Sequence, residues 1–282
     1  MKFSRLKHSV AAILLCILAL KTDAQKNKIL TTSKPFVIGH TITMHSAELR
    51  EERILNIYLP EGYTATDTLK YPVIYLLDGS ADEDFIHIAG LVQFAGFSWI
   101  KLLPPTIVVG IANVDRKRDF TFEPTDTTFI KEFPTSGHSN DFIRFIEKEL
   151  QPLIKKEYRT SEERTIIGQS FGGLLATEIA LKQPALFNNY IIISPSLWWD
   201  DESLLRVKSE VEYKSVPNGK IYLAVGKEGK KMVNDSKTLN KYFHRNVTPS
   251  KQLRYEYFKN EDHATIMHLA VYNAFKFFSK NR

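Results

Sequence analysis

Residues 164–175 read RTIIGQSFGGLL and set Ser170 between two glycines, Gly168 and Gly172, directly after the β-branched apolar run Thr165, Ile166, Ile167. A serine held on a sharp strand-to-helix turn has strained backbone angles and leaves little room for side chains two positions away, which is why glycine suits both flanks. Downstream, Leu174, Leu175, Ile179 and Leu181 recur at helical spacing. Strand, turn and helix are therefore all predicted around Ser170, as a nucleophile elbow requires.

Outward from this point the chain alternates strands and helices. Phe36–Met44 and Arg53–Leu59 read as an antiparallel hairpin joined by the polar turn ELREER. YPVIYLL (71–77), PTIVVGIA (105–112), YIIIS (190–194) and KIYLAV (220–225) are continuous apolar runs of the kind buried on both sheet faces. LRYEYF (253–258) reads as a further strand. Helices are predicted from Ser139 or Asn140 through Tyr158, with a bend at Pro152, from Met232 to His244, and over 264–279. The Phe-, Ile- and Trp-rich segment 80–104 reads either as a helix flanking the mouth of a site or as ordinary sheet cover. This alternation predicts an α/β fold, with a mostly parallel central sheet, an N-terminal antiparallel hairpin and helices on both faces.

The 282 residues, 43% hydrophobic and 25% charged, supply one sizeable core, and no linker divides them. The N-terminus carries Lys2, Arg5 and Lys7, then the eleven-residue apolar run Val10–Leu20, then Thr22-Asp23-Ala24 with small residues at its ends. This predicts a signal peptide over 1–24, a loose leader over 25–35 and one domain over 36–282, hence an exported, periplasmic or secreted protein. The apolar run is too short to span a membrane. Removing 1–24 lowers the formal charge from +6 to +3, so the basic balance belongs mostly to the export segment. Cys16 is the one cysteine and lies inside that run, so the mature chain has neither disulfide nor thiolate metal site. No basic run with interleaved aromatics marks a nucleic-acid face.

A serine hydroxyl needs a base within hydrogen-bond reach and an acid that orients the base, in the chain order serine, acid, histidine. Of the eight histidines only His244, His263 and His268 follow Ser170, and His263 alone falls in a loop, EDHA, between a strand and a helix. It is the expected base. For the acid, Glu228 in the glycine-flanked loop after KIYLAV is preferred, with Asp200 and Asp201 as alternatives. The oxyanion donors are expected at the N–H of Phe171 and at Gly79 or Ser80, after YPVIYLL, with Asp78 shaping that loop.

With RILNIYLPEGY, YPVIYLLDG, IVVGIAN followed by RKRDFT, RTIIGQSFGG, ISPSLWW, AVGKEG and EDHA in this order, the chain resembles the esterase D type of esterases within the α/β-hydrolases, from about Ile38 to the C-terminus. Its nearest resemblance is to the branch acting on trilactones of catechol siderophores. The resemblance implies Ser170 as nucleophile, His263 as base and Glu228 at the acid position, acting on a small-molecule ester with no metal or cofactor. It also offers Arg118 and Trp198 as substrate contacts for acidic, aromatic acyl groups. Their alternatives are an ion pair of Arg118 with Asp119 or Glu123, and packing of Trp198 beneath the site. The same family holds feruloyl and acetyl-xylan esterases and acyltransferases that use the same triad.

Overall fold

The computed structural model describes residues 32–66, 68–206, 219–246 and 252–280. The expected signal peptide, Cys16 and most of the 25–35 leader lie outside the described residues. Ile38–Arg282 forms one compact unit and Met1–Val37 another, of which residues 32–37 are described and carry no regular structure.

Eight strands form one sheet: β1 His40–Ser46, β2 Glu51–Tyr58, β3 Tyr71–Leu76, β4 Ile107–Ile111, β5 Thr160–Gln169, β6 Asn189–Ile193, β7 Lys220–Gly226 and β8 Leu253–Phe258. Their spatial order is β1-β2-β4-β3-β5-β6-β7-β8. β1 and β2 pair antiparallel, as do β2 and β4; every other neighbouring pair is parallel. The protein has the α/β-hydrolase type of fold, as its sequence predicts.

The apolar runs are continuous because alternate residues of each strand enter two separate cores. Val73 and Tyr75, Ile166, Tyr190 and Ile192, and Ile221 and Leu223 face one; Ile74 and Leu76, Ile167, Ile191 and Ile193, and Tyr222 and Ala224 face the other. The helices α1 Phe85–Gly96 and α8 Ile266–Ser279 cover the second core. The first is covered by α4 Ser139–Phe145, α5 Gln151–Glu157, α6 Phe171–Lys182 and α7 Gly229–Asn246. Two short helices, α2 Arg116–Phe120 and α3 Thr127–Glu132, sit in the connection after β4.

The sequence predicts one bent helix from 139 to 158; the structure interposes a π-helical turn, Ile146–Leu150, between α4 and α5. Pro152 explains the change, since it has no N–H to give to residue 148 and its ring crowds that carbonyl. Segment 80–104 fulfils both of its readings. Phe85, Ile88, Ala89, Leu91, Val92 and Ala95 of α1 pack on the sheet, while Glu83 and Asp84 just before it line the cleft described next. Among the described residues no helix is long and apolar enough to cross a membrane, and no group of three or more His, Cys, Asp or Glu could hold a metal ion.

Candidate active site

Three residues that follow the C-terminal ends of parallel strands have positive φ: Asp78 after β3 (54°), Ser170 after β5 (59°) and Ser194 after β6 (42°). Backbone held this way costs about 1–3 kcal/mol at each position. Ile166, Ile167, Ile191, Ile192 and Ile193 are fully buried in the strands that carry two of these turns, and each contributes about 1.5–3 kcal/mol of hydrophobic stabilisation. The paired strands therefore over-determine the strained turns.

The elbow is as tight as its glycines imply. A Cβ on Gly168 would lie 2.3 Å from the Gly172 carbonyl oxygen, and one on Gly173 would lie 2.8 Å from that of Ile193. The Ser170 N–H donates to Ile193 O (3.1 Å), and the Ser170 carbonyl accepts from the Ser196 N–H (3.0 Å). The Ser170 hydroxyl lies 3.3 Å from the Ser196 hydroxyl. Ser170 and His263 line one open cleft of about 450 Å³ together with Asp78, Glu83, Asp84 and Arg116.

His263 stands in the loop between β8 and α8, with its Nδ1 2.6 Å from Glu228 Oε2. A carboxylate at that distance fixes the tautomer with hydrogen on Nδ1 and leaves Nε2 as the basic nitrogen. The second Glu228 oxygen accepts the Gly226 N–H at 2.9 Å and the Ser194 hydroxyl. Burial alone would raise the Glu228 pKa, but the bonds from His263, Ser194 and Gly226 outweigh it and hold the carboxyl below its ordinary value. The Gln169 side-chain amide donates to the His263 carbonyl and pins the loop from its other side. No hydrogen bond joins His263 to Ser170 here, a contact that in such sites tightens when substrate arrives.

Asp200 and Asp201, the alternative acids, are placed elsewhere. Asp200 is buried and accepts the Thr125 and Asp126 N–H groups at 2.8 and 3.1 Å, anchoring the segment that leads into α3. Asp201 pairs with Arg206 at the surface. His268 stacks on His87, their ring nitrogens 3.0 Å apart, and His244 is exposed on α7.

For the oxyanion, Phe171 begins α6, and neither its N–H nor that of Ser80 donates to an acceptor among the described residues. Gly79 differs from expectation: its N–H is committed to Ile111 O at 3.0 Å because the loop folds back along β4, where a Cβ on Gly79 would lie 2.4 Å from the Gly110 Cα. Gly79 thus permits close backbone packing, while the Ser80 N–H has no acceptor among the described residues.

Arg118 also departs from the expected substrate contact. It forks onto Glu51 (2.5 and 3.0 Å) and bonds Asp119 (2.8 Å), in a network completed by the fully buried Arg53. Arg116 lines the cleft in its place. Two positions along a helix turn the side chain through about 200°, so the two arginines of RKRDFT face opposite ways. Trp198 is half-buried, its ring centroid 5.6 Å from that of Phe171, whereas Trp199 is fully buried.

Ser194, Gln169 and Asn113 were not foreseen from the sequence. Each lies at or just beyond the C-terminal end of a parallel strand, the end at which open α/β sheets bind ligands, and that position was the available signal.

Residues 46–276 match the family model described as "Putative esterase". The chain belongs to this esterase family. It is 30% identical over 270 residues to the ferri-bacillibactin esterase BesA of Bacillus subtilis (strain 168), covering 87% of this chain and 92% of that one. It is 29% identical over 154 residues to the apo-salmochelin esterase of Escherichia coli O6:H1, covering 50% and 46% of the two chains. Among solved structures it resembles an IroE-like serine hydrolase from Shewanella oneidensis, with a TM-score of 0.76 and 30% identity over 86% of this chain and 80% of that one. The protein is an esterase-type hydrolase.

Proposed function

We propose that the protein is an exported serine carboxylesterase that cleaves the lactone esters of a catechol siderophore through an acyl-enzyme. The observation that carries the chemistry is the 2.6 Å bond from Glu228 to Nδ1 of His263, which shares its cleft with Ser170 on the strained elbow. His263 Nε2 takes the Ser170 proton as Oγ attacks the ester carbonyl. The N–H groups of Phe171 and Ser80 receive the oxyanion, and the protonated His263 delivers its proton to the departing alkoxide. Water, deprotonated by the same nitrogen, then attacks the acyl-enzyme and releases the acid.

The siderophore assignment is supported by the similarity to BesA, a ferri-bacillibactin esterase, and to the apo-salmochelin esterase. Trp198, packed on Phe171, offers an aromatic face beside the nucleophile for a catechol ring. The test is a panel of a catechol trilactone, methyl ferulate, acetylated xylan and p-nitrophenyl acetate, compared by kcat/KM. The trilactone should exceed the others by at least about a hundredfold, equivalent to about 2.7 kcal/mol of transition-state discrimination. A comparable lead for ferulate or xylan would reject the siderophore, and ester products formed with an added alcohol would mark an acyltransferase.

A further inference from the structure

We propose that Arg116 is the positioning residue of the oxyanion site and not an anchor for an acidic substrate. This rests on the serine-esterase reading of Ser170. Among the described residues Arg116 is the one Lys or Arg lining the cleft, and lying beside the nucleophile it invites the anchor role. Three of its five N–H donors are already directed inward. Nε bonds Asp78 Oδ1 at 2.5 Å, and Nη2 bonds Asp78 Oδ2 at 2.9 Å and the Gln169 carbonyl at 3.2 Å. The guanidinium carbon also lies 5.5 Å from the ring centroid of Phe171 and 5.6 Å from that of Phe120.

One side chain therefore touches the segments that carry the nucleophile and both oxyanion donors. Asp78, held at a φ of 54°, begins the loop that presents the Ser80 N–H. The Gln169 carbonyl belongs to the peptide immediately before Ser170, and Phe171 carries the other free N–H. Asn113 adds a second tie to Asp78 Oδ1 at 2.8 Å, so the carboxylate is gripped from two sides. A fork that binds both carboxylate oxygens sets an orientation as well as a distance, which a lysine cannot reproduce. The Asp78 carboxylate also neutralises the guanidinium, leaving little net field for a substrate anion.

The experiment measures kcat and KM of wild type, R116Q, R116K, D78N and D78N/R116Q on a neutral ester, p-nitrophenyl butyrate, and an anionic one of similar length, p-nitrophenyl hemisuccinate. Thermal midpoints identify the folded variants. R116Q should lower kcat by about 10–100-fold on both esters, the scale expected when oxyanion donors shift by a fraction of an ångström, with KM changed less than about threefold. D78N should lower kcat similarly, the double variant should be little worse than either single one, and R116K should recover only part of the loss. A KM increase confined to the hemisuccinate would overturn the proposal in favour of an anchor, as would unchanged kcat in folded R116Q. Should R116Q not fold, R116K and D78N decide by the same kcat and KM criterion. Wild type that neither hydrolyses the butyrate nor labels at Ser170 with a fluorophosphonate would instead overturn the underlying reading of Ser170, and the role of Arg116 with it.

Discussion

Glu228 binds His263 with one carboxylate oxygen and the Ser194 hydroxyl with the other, so a nearly buried acid, 4% exposed, holds a half-exposed base, 48% exposed, from behind. In the proposed reaction, an acid in this place sets the tautomer and stabilises the imidazolium formed when Ser170 attacks. Glu228→Gln keeps the shape but can present an amide N–H toward Nδ1, favouring the unproductive tautomer. Its kcat on p-nitrophenyl acetate should fall by roughly 10²–10⁴-fold with little change in KM. Steady-state kinetics beside Ser170→Ala, which should abolish turnover, checks this; a loss under about threefold would remove Glu228 from the triad.

The same bonds give a pH signature in stability. The folded-state pKa of Glu228 lies below its ordinary value, so its contacts contribute fully above the unfolded value of about 4.3 and are lost as pH falls through the lower folded value. Urea midpoints of wild type and Glu228→Gln at pH 7, 5, 4 and 3 should differ most at pH 7 and 5 and converge below about pH 4. A constant gap down to pH 3 would mean that Glu228 is not held as a carboxylate.

The placement of Ser170, His263 and Glu228 at one end of the sheet was legible because each position follows from spacing and chain order: an elbow after a strand, and loops at strand ends farther along. The layered sheet was legible because its strands are buried on both faces and therefore read as unbroken apolar runs. Arg116 was not, because RKRDF is too short for periodicity to show which arginine faces inward. The Gly79 N–H bond to Ile111 was hidden for another reason: it joins two strands through a contact that no local pattern encodes. Short α2 and α3 escaped likewise, lacking enough turns to reveal an amphipathic face.

The elbow glycines differ in what they exclude. A Cβ at Gly168 would meet backbone, the Gly172 oxygen at 2.3 Å, while one at Gly172 would meet Asp78 Oδ2 and Leu77 Cβ, both at 3.3 Å. Backbone on a fixed strand and helix cannot yield, whereas side chains shift by tenths of an ångström. Gly168→Ala should cost about 3 kcal/mol or more and Gly172→Ala about 1 kcal/mol, read from denaturant midpoints. Equal losses would contradict the tight crossing of β5 and α6.

On the proposed siderophore reading, the charge around Ser170 bears on which form of the substrate enters. Asp78 is neutralised by Arg116, leaving Glu83 and Asp84 as further carboxylates on the cleft. Glu83 is steadied by the Asn113 amide at 3.1 and 3.2 Å, and Asp84 lies 3.7 Å from His87 Nδ1. A catechol siderophore gives up its phenolic protons on binding iron, so its ferric complex is anionic while the iron-free trilactone is neutral. These carboxylates disfavour the anion, and their partial exposure limits each to about 1 kcal/mol. Wild type should therefore hydrolyse the iron-free trilactone with a kcat/KM roughly five- to tenfold above that of the ferric complex, narrowing to about twofold or less in E83Q/D84N. The difference should also shrink as ionic strength rises. Faster cleavage of the ferric form, unchanged by the double substitution, would show that the substrate approaches from the Trp198 side and does not face these carboxylates.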